Sequence, residues 1–187
     1  MSKDLHSLTF QDRIDIFDKL MGEITPKNVR DYLIGNGFFT APASTKYHGA
    51  YEGGLFDHSM TVATLLLDLS AFNKLKWERA ESPLYIGMFH DLCKIDQYKN
   101  TDVDLNNGKL IYEWNSETFL KGHGDKSIML LASLIQLTEE EVFCIRYHMG
   151  AFTEKEEWND YNRAIRKYNN VLWVHHADMI ASQILGT

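Results

Sequence analysis

The chain of 187 residues has few of the residues that cross-link or interrupt a protein, with two cysteines and three prolines. Cys93 and Cys144 both lie in apolar helical patterns, and two cysteines do not make a disulfide framework, so we expect buried thiols in a reducing cytoplasm. Basic residues are also scarce, because 19 Lys and Arg stand against 26 Asp and Glu, giving a formal net charge of −7. This balance argues against long nucleic acids as partners.

Long apolar runs are absent as well. No stretch approaches the roughly 20 apolar residues that a transmembrane helix requires. The first residues lack the apolar segment of a signal peptide. We therefore expect no membrane partner and a cytoplasmic location, and the sequence leaves the oligomeric state undetermined.

Apolar residues recur mostly at helical spacing, which predicts an all-α fold. The Asn107-Gly108 pair, between two short apolar segments, predicts one small β-hairpin near residues 102–114. A segment without periodicity predicts a long loop over residues 38–54, and a polar stretch covers 154–162. The length suits a single domain over residues 1–187. The predicted helices cover 10–21, 26–35, 57–72, 82–91, 126–136, 138–150 and 171–185.

Six histidine and aspartate residues form the candidate metal site. Imidazole and carboxylate together suit iron, manganese and similar divalent ions, and a shared carboxylate can bridge two of them. Asp91, directly after His90, is the bridging candidate, because an aspartate there can offer one oxygen to each of two ions. A single histidine on an apolar face is more often a hydrogen-bonded core residue, so the argument depends on the set. The candidates are His58, His90, Asp91, His123, His148 and Asp178.

Asp178 lies in an otherwise apolar run, Val171–Val174 before it and Met179–Ala181 after it. A carboxylate in such a place is costly unless it is paired or bound to a metal. His175 lies three residues earlier on the same helical face, where it could support a metal ligand or contact a substrate.

Three stretches of this sequence resemble motifs of the HD-domain superfamily of metal-dependent phosphohydrolases. The segment from Tyr47 to Ser59 resembles the "HHAYPGGLLEHT" phrase in the HD domain of bacterial 3′→5′ exoribonucleases. His90-Asp91-Leu92-Cys93-Lys94 resembles "HDIGK", with Cys93 in place of the usual glycine. The segment from His175 to Ile180 resembles "HxADxL". The resemblance covers about residues 47–181, so residues 1–46 would be N-terminal helices that complete an HD-domain bundle.

The resemblance implies a role for each matched residue. One ion would be bound by His58, His90, Asp91 and Asp178, and a second would share Asp91 and add His123 and His148. Asp91 and Lys94 would be catalytic, with Lys94 neutralising charge on a phosphoryl oxygen. The expected cofactor is one or two divalent transition-metal ions, with Fe or Mn favoured over Mg, Ni, Co or Zn. The proposed substrate-binding residues are Lys46, His48, Tyr51 and His175.

The resemblance implies a phosphohydrolase or phosphodiesterase that uses a metal-activated hydroxide on a nucleotide or other small phosphate ester. Two alternatives stay open. Some HD proteins with a similar ligand set are diiron oxygenases that act on inositols or organophosphonates, and oxygen consumption would distinguish them. Others are non-catalytic ligand-sensing modules, but such members usually lose ligands, whereas this chain retains all six.

Overall fold

The computed structural model describes residues 5–106, 108–120 and 122–187, and this part of the chain is mostly helical. One antiparallel hairpin pairs β1 (Tyr98–Val103) with β2 (Leu110–Trp114). The prediction of an all-α fold with one small hairpin is therefore confirmed, although β1 begins four residues before the predicted start. Asn107 lies outside the described residues. The helices are α1 (Phe10–Met21), α2 (Lys27–Gly35), α3 (Gly54–Asn73), α4 (Ser82–Phe89), α5 (Gly124–Ala132), α6 (Glu139–Arg146), α7 (Trp158–Lys167) and α8 (Asn170–Met179).

Local sequence signals explain where several helices begin. Thr9 caps α1 and Thr138 caps α6, each by accepting a hydrogen bond from the backbone N–H three residues later. The carboxylate of the acidic residue at that third position in turn accepts a hydrogen bond from the cap's own backbone N–H, at 2.9 Å in both helices. These reciprocal bonds satisfy backbone N–H groups that have no acceptor within the first turn of a helix.

Helix boundaries depart from the predictions where local signals are weak. The polar stretch over residues 154–162 contains the start of α7, a helix in which Ala164 alone is buried. Trp158, Tyr161 and Ile165 do recur at helical spacing in α7, but the segment is mostly polar and its composition suggested a loop. The helix predicted over residues 171–185 is α-helical only as far as Met179, the end of α8. The residues that follow, Ile180–Leu185, form a π-helix.

The described residues divide into two compact units, each built from separate segments of the chain. Unit 1 comprises the described residues of Met1–His58, Lys94–Leu120 and Gly186–Thr187. Unit 2 comprises those of Ser59–Cys93 and Lys121–Leu185. The single-domain expectation for the whole chain stays a prediction.

Unit 1 has an aromatic core. Phe17, Phe38, Phe39 and Phe56 are all buried. The ring of Phe39 packs edge-on against Phe17 and Phe38, with centroids 5.6 and 5.4 Å apart. Such edge-to-face pairs add to the stabilisation from burying the rings.

Unit 2 contains two close backbone approaches that require glycine. A Cβ on Gly87 of α4 would lie 2.3 Å from the Cα of Ala63 on α3. A Cβ on Gly124, the first residue of α5, would lie 2.5 Å from the carbonyl oxygen of Arg146 at the end of α6. Glycine therefore lets these helix pairs pack closely, and each contact lies within three residues of a predicted metal ligand.

Within the described residues, no helix is both long enough and apolar enough to cross a bilayer.

Candidate metal centre

Helix ends in unit 2 bring together five of the six predicted metal ligands. His90 and Asp91 directly follow α4, His123 precedes α5, and His148 lies two residues after α6. Asp178 is the second-last residue of α8. His90 and His148 are fully buried and Asp91 is 2% exposed, whereas Asp178 is half-buried. Residues distant in sequence thus form one His/Asp cluster.

Asp91 is central to the His/Asp cluster. Its Oδ1 lies 2.9 Å from Nε2 of His123 and 3.5 Å from Nε2 of His148. Its Oδ2 lies 3.5 Å from Nε2 of His90, and Oδ1 of Asp178 lies 4.0 Å from the same nitrogen. Three imidazole nitrogens therefore face two carboxylates over distances that a small cation can bridge.

Backbone carbonyls orient two of these rings. Nδ1 of His90 lies 2.9 Å from the carbonyl oxygen of Gly87, and Nδ1 of His148 lies 2.7 Å from that of Ile145. A carbonyl can only accept, so Nδ1 carries the proton and donates it. The lone pair is then on Nε2, which faces the cluster. Metal-binding histidines are commonly oriented in this way.

The surroundings of His148 indicate that the cluster suits a cation. Nε2 of His148 is buried and makes no hydrogen bond to any of the described residues, since 3.5 Å to Asp91 is too long for a good one. Burial alone lowers the pKa of His148, but the Asp91 and Asp178 carboxylates outweigh burial and raise the pKa above its ordinary value. The cluster therefore attracts positive charge, which a divalent ion would supply. A mixed nitrogen and oxygen donor set of this kind suits a divalent metal ion.

The remaining predicted ligand and the predicted catalytic lysine belong to unit 1. His58 is fully buried in α3, and its Nδ1 lies 2.8 Å from the carbonyl oxygen of Thr187. Lys94 is buried in the 3-10 turn Leu92–Ile95. The roles of His58 and Lys94 stay predictions from the sequence.

Three of the four predicted substrate-binding residues lie in the loop of unit 1 between α2 and α3. Lys46 is exposed, whereas His48 and Tyr51 are half-buried. The rings of His48 and His58 have centroids 4.9 Å apart. Of the three, His48 thus lies beside the predicted ligand His58, and the binding roles of all three residues stay predictions.

His175, the fourth predicted substrate-binding residue, lies beside the His/Asp cluster in unit 2. Its Nδ1 is 2.9 Å from the carbonyl oxygen of His148. Gly150 makes room for the ring, because a Cβ there would lie 2.4 Å from Cγ of His175. Gly150 also has a φ of 56°, a left-handed conformation that favours glycine.

Sequence reasoning missed one residue that supports the cluster. Ser127 is fully buried, and its Oγ accepts a hydrogen bond of 2.9 Å from the backbone N–H of Cys93. The same hydroxyl lies 3.3 Å from the carbonyl oxygen of His123, to which it donates. The available signal was the spacing of four residues between His123 and Ser127, which is one helical turn.

Comparison of the chain with protein-family models, with curated proteins and with solved structures finds no match. The fold and the site alone therefore define the class: a mainly helical protein whose buried His/Asp cluster could hold a metal ion.

Proposed function

We propose that the protein is a metal-dependent phosphohydrolase or phosphodiesterase of the HD-domain superfamily that acts on a nucleotide or another small phosphate ester. The observation that carries the proposal is the convergence of three imidazole Nε2 atoms on the buried carboxylate of Asp91. The resemblance of the three sequence motifs supports the same reaction class. A cytoplasmic location is part of the proposal, since neither Cys93 nor Cys144 forms a disulfide.

The residues of unit 2 divide into two sets around Asp91. His90, Asp91 and Asp178 would hold one ion, while Asp91, His123 and His148 would hold a second. Asp91 would serve both, because its two oxygens face different histidines. When bound, divalent ions supply Lewis-acid activation of water and neutralise charge on a phosphoryl group.

Other groups in and around the cluster set the orientation of the histidine rings and the local charge. The carbonyls of Gly87 and Ile145 keep the Nε2 lone pairs of His90 and His148 towards the cluster. The two carboxylates leave the region electronegative without an ion, so an anionic phosphate would bind only after the ions do. His175, fixed through its Nδ1 next to His148, is available to contact the substrate.

The size of the substrate follows from the charge of the chain. With 26 acidic and 19 basic residues, the protein lacks the excess of Lys and Arg that neutralises a polymeric phosphate backbone. A small phosphate ester needs only the local positive charge that bound ions provide. We therefore expect turnover of mononucleotides or similar esters and none of long RNA or DNA.

The test combines metal content with hydrolysis. Protein purified without oxygen and without an affinity tag is analysed for metals, then given Mn²⁺ and a panel of nucleoside mono-, di- and triphosphates and p-nitrophenyl esters. We expect close to two ions per chain and phosphate release that EDTA abolishes. Oxygen consumption without hydrolysis would contradict the proposal and favour the oxygenase alternative. No bound ion, even after metal is added, would favour the non-catalytic module.

Histidine variants test the division into two sets. His123→Ala and His148→Ala should each reduce the content from two ions to one while the far-ultraviolet circular dichroism stays unchanged. His176→Ala is the matched control, because His176 is exposed on the same helix as Asp178 and its Nδ1 bonds to the carbonyl of Leu172. If His123→Ala and His148→Ala both keep two tightly bound ions, the two-ion arrangement is wrong.

A further inference from the structure

The hydroxyl of Ser127 links the backbone of His123 to segment 90–93, which directly follows α4 and contains Asp91. Its oxygen accepts a hydrogen bond of 2.9 Å from the backbone N–H of Cys93, 34 residues earlier in the chain. Its proton is donated to the backbone carbonyl oxygen of His123, at 3.3 Å. One hydroxyl is thus bonded to two backbone segments, each of which carries a proposed metal ligand.

The two hydrogen bonds of Ser127 differ in origin. A serine within a helix commonly donates to the carbonyl four residues earlier, so the bond to His123 alone would be an ordinary local feature. The bond from Cys93 is not local, because Cys93 follows α4 whereas Ser127 belongs to α5. Ser127 therefore fixes α5 against segment 90–93, which its local bond would not do.

Both partners of the long-range bond are protected from solvent. Ser127 and Cys93 are fully buried, so bulk water does not compete for the hydroxyl or for the N–H. A hydrogen bond in such surroundings is electrostatically stronger than one in water. The bond therefore holds segment 90–93 and the start of α5 at a fixed separation.

His123 depends on such backbone contacts more than the other histidines of the His/Asp cluster do. Its side chain is 28% exposed, whereas those of His90 and His148 are 0% and 1% exposed. Packing around the ring therefore restrains His123 least. The close approach of α5 to the end of α6 fixes the His123 backbone relative to His148. The Ser127 hydroxyl fixes it relative to Asp91.

We infer that Ser127 is a positioning residue for the second metal ion, because its hydroxyl holds the backbone of His123 at the separation from Asp91 that a shared ion requires. The inference rests on the metal-binding part of the proposed function and is independent of the reaction catalysed. The proposed ligands of the first ion are His90 and Asp91 after α4 and Asp178 in α8, so that ion does not depend on the position of α5. Loss of the hydroxyl should therefore weaken the second ion and leave the first unchanged.

A purely structural role for Ser127 is the competing explanation of the same two bonds. In that case, removing the hydroxyl would lower the free energy of unfolding and would affect both ions alike or neither. Selective weakening of one ion distinguishes positioning from general support of the fold. The variant His123→Ala provides a second distinction, because Ser127 has nothing to position in a protein that lacks the imidazole.

The experiment compares Ser127→Ala, Ser127→Cys and the control Ser133→Ala by calorimetric titration with Mn²⁺. Alanine removes the hydroxyl, whereas cysteine keeps a similar size and a weaker donor and acceptor. Ser133 is exposed at the other end of α5, where its hydroxyl donates to the carbonyl oxygen of Leu130 at 2.7 Å. We expect Ser127→Ala to weaken the second ion by about tenfold, the lower end of the usual effect for residues that support a ligand. Ser127→Cys should weaken it less, and Ser133→Ala should leave both ions unchanged. Adding Ser127→Ala to His123→Ala should leave the remaining ion unchanged.

Three results would overturn the inference while the unsubstituted protein still binds two ions and the proposed function stands. They are an unchanged second affinity in folded Ser127→Ala, an equal weakening of both ions, and a weakening of the ion that remains in His123→Ala when Ser127→Ala is added. If Ser127→Ala does not fold, Ser127→Cys carries the same comparison. An unsubstituted protein that binds one ion or none contradicts the two-ion site itself, and with it the inference.

Discussion

The chain contains two adjacent pairs of histidine and aspartate, Asp57-His58 in unit 1 and His90-Asp91 in unit 2, and their carboxylates have different partners. Nε and a terminal nitrogen of Arg13 bind the two oxygens of Asp57 at 3.0 and 2.8 Å, and both side chains are almost fully buried. Asp91 is equally buried, but it faces three imidazoles that carry charge only when protonated.

The difference shows how a structural carboxylate is distinguished from a ligand. A buried carboxylate needs a compensating charge and hydrogen bonds. The permanently charged, forked guanidinium of Arg13 supplies both to Asp57. Asp91 instead shares its region with a second carboxylate, Asp178, and with histidine lone pairs, a combination that a divalent ion complements.

The largest expected effect comes from removing the shared carboxylate. Asp91→Ala should lower turnover by about 1,000-fold, since an ion supplies several kcal/mol of charge stabilisation and each 1.36 kcal/mol corresponds to a factor of ten. Metal analysis should show the ions lost as well. Asp160→Asn, on the exposed surface of α7, is the control. Full activity of Asp91→Ala on its natural substrate would refute the assignment.

The next effect concerns stability in unit 1. Arg13→Ala should lower the free energy of unfolding by about 3–5 kcal/mol, because it removes the guanidinium that compensates the charge of the buried Asp57 carboxylate. Denaturant titration measures this. The matched control is Arg163→Ala, which breaks an exposed pair with Asp160 and should cost at most about 1 kcal/mol.

The same denaturant titration tests whether Asp91 contributes less to stability than the Asp57 pair does. Asp91→Asn, studied without metal, should change the free energy of unfolding by less than about 1 kcal/mol, because neutralising one of two converging carboxylates relieves repulsion. A loss as large as that of Arg13→Ala would mean that Asp91 is also a structural carboxylate.

Metal addition should stabilise the protein through the cluster. An ion present at about 100 times its dissociation constant stabilises the folded state by about 2.7 kcal/mol. Thermal unfolding with Mn²⁺ and with EDTA should show this shift in the unsubstituted protein and not in Asp91→Ala. An equal shift in both proteins would place the stabilising ion elsewhere.

A smaller effect than that of removing Arg13 is expected at Gly150. Gly150→Ala should cost about 1–2 kcal/mol for the left-handed backbone alone, with a further cost from the approach to His175. Thermal unfolding measures it. Gly35→Ala in α2 is the control, because a Cβ there meets nothing within 4 Å and the change should not destabilise.

Much of the fold was accessible from local sequence. The caps at Thr9 and Thr138 marked two helix starts, and the apolar spacing predicted α1 and α2 to within a residue at each end. The start of α7 was missed although Trp158, Tyr161 and Ile165 recur at helical spacing, because most of the residues around them are polar. Ser127 was missed because it links two backbone segments, and the presence of a serine does not by itself indicate such a role.

The sequence by itself determined the residue types available for the site and the positions of the helix ends that carry them. Only the tertiary structure decided which aspartate faces a guanidinium and which faces imidazoles, since both lie next to a histidine in the chain. Arg13 lies 44 residues from Asp57, and the groups facing Asp91 come from the ends of separate helices. Contacts at such separations depend on how helices pack, and helical periodicity reports only which face of each helix is apolar.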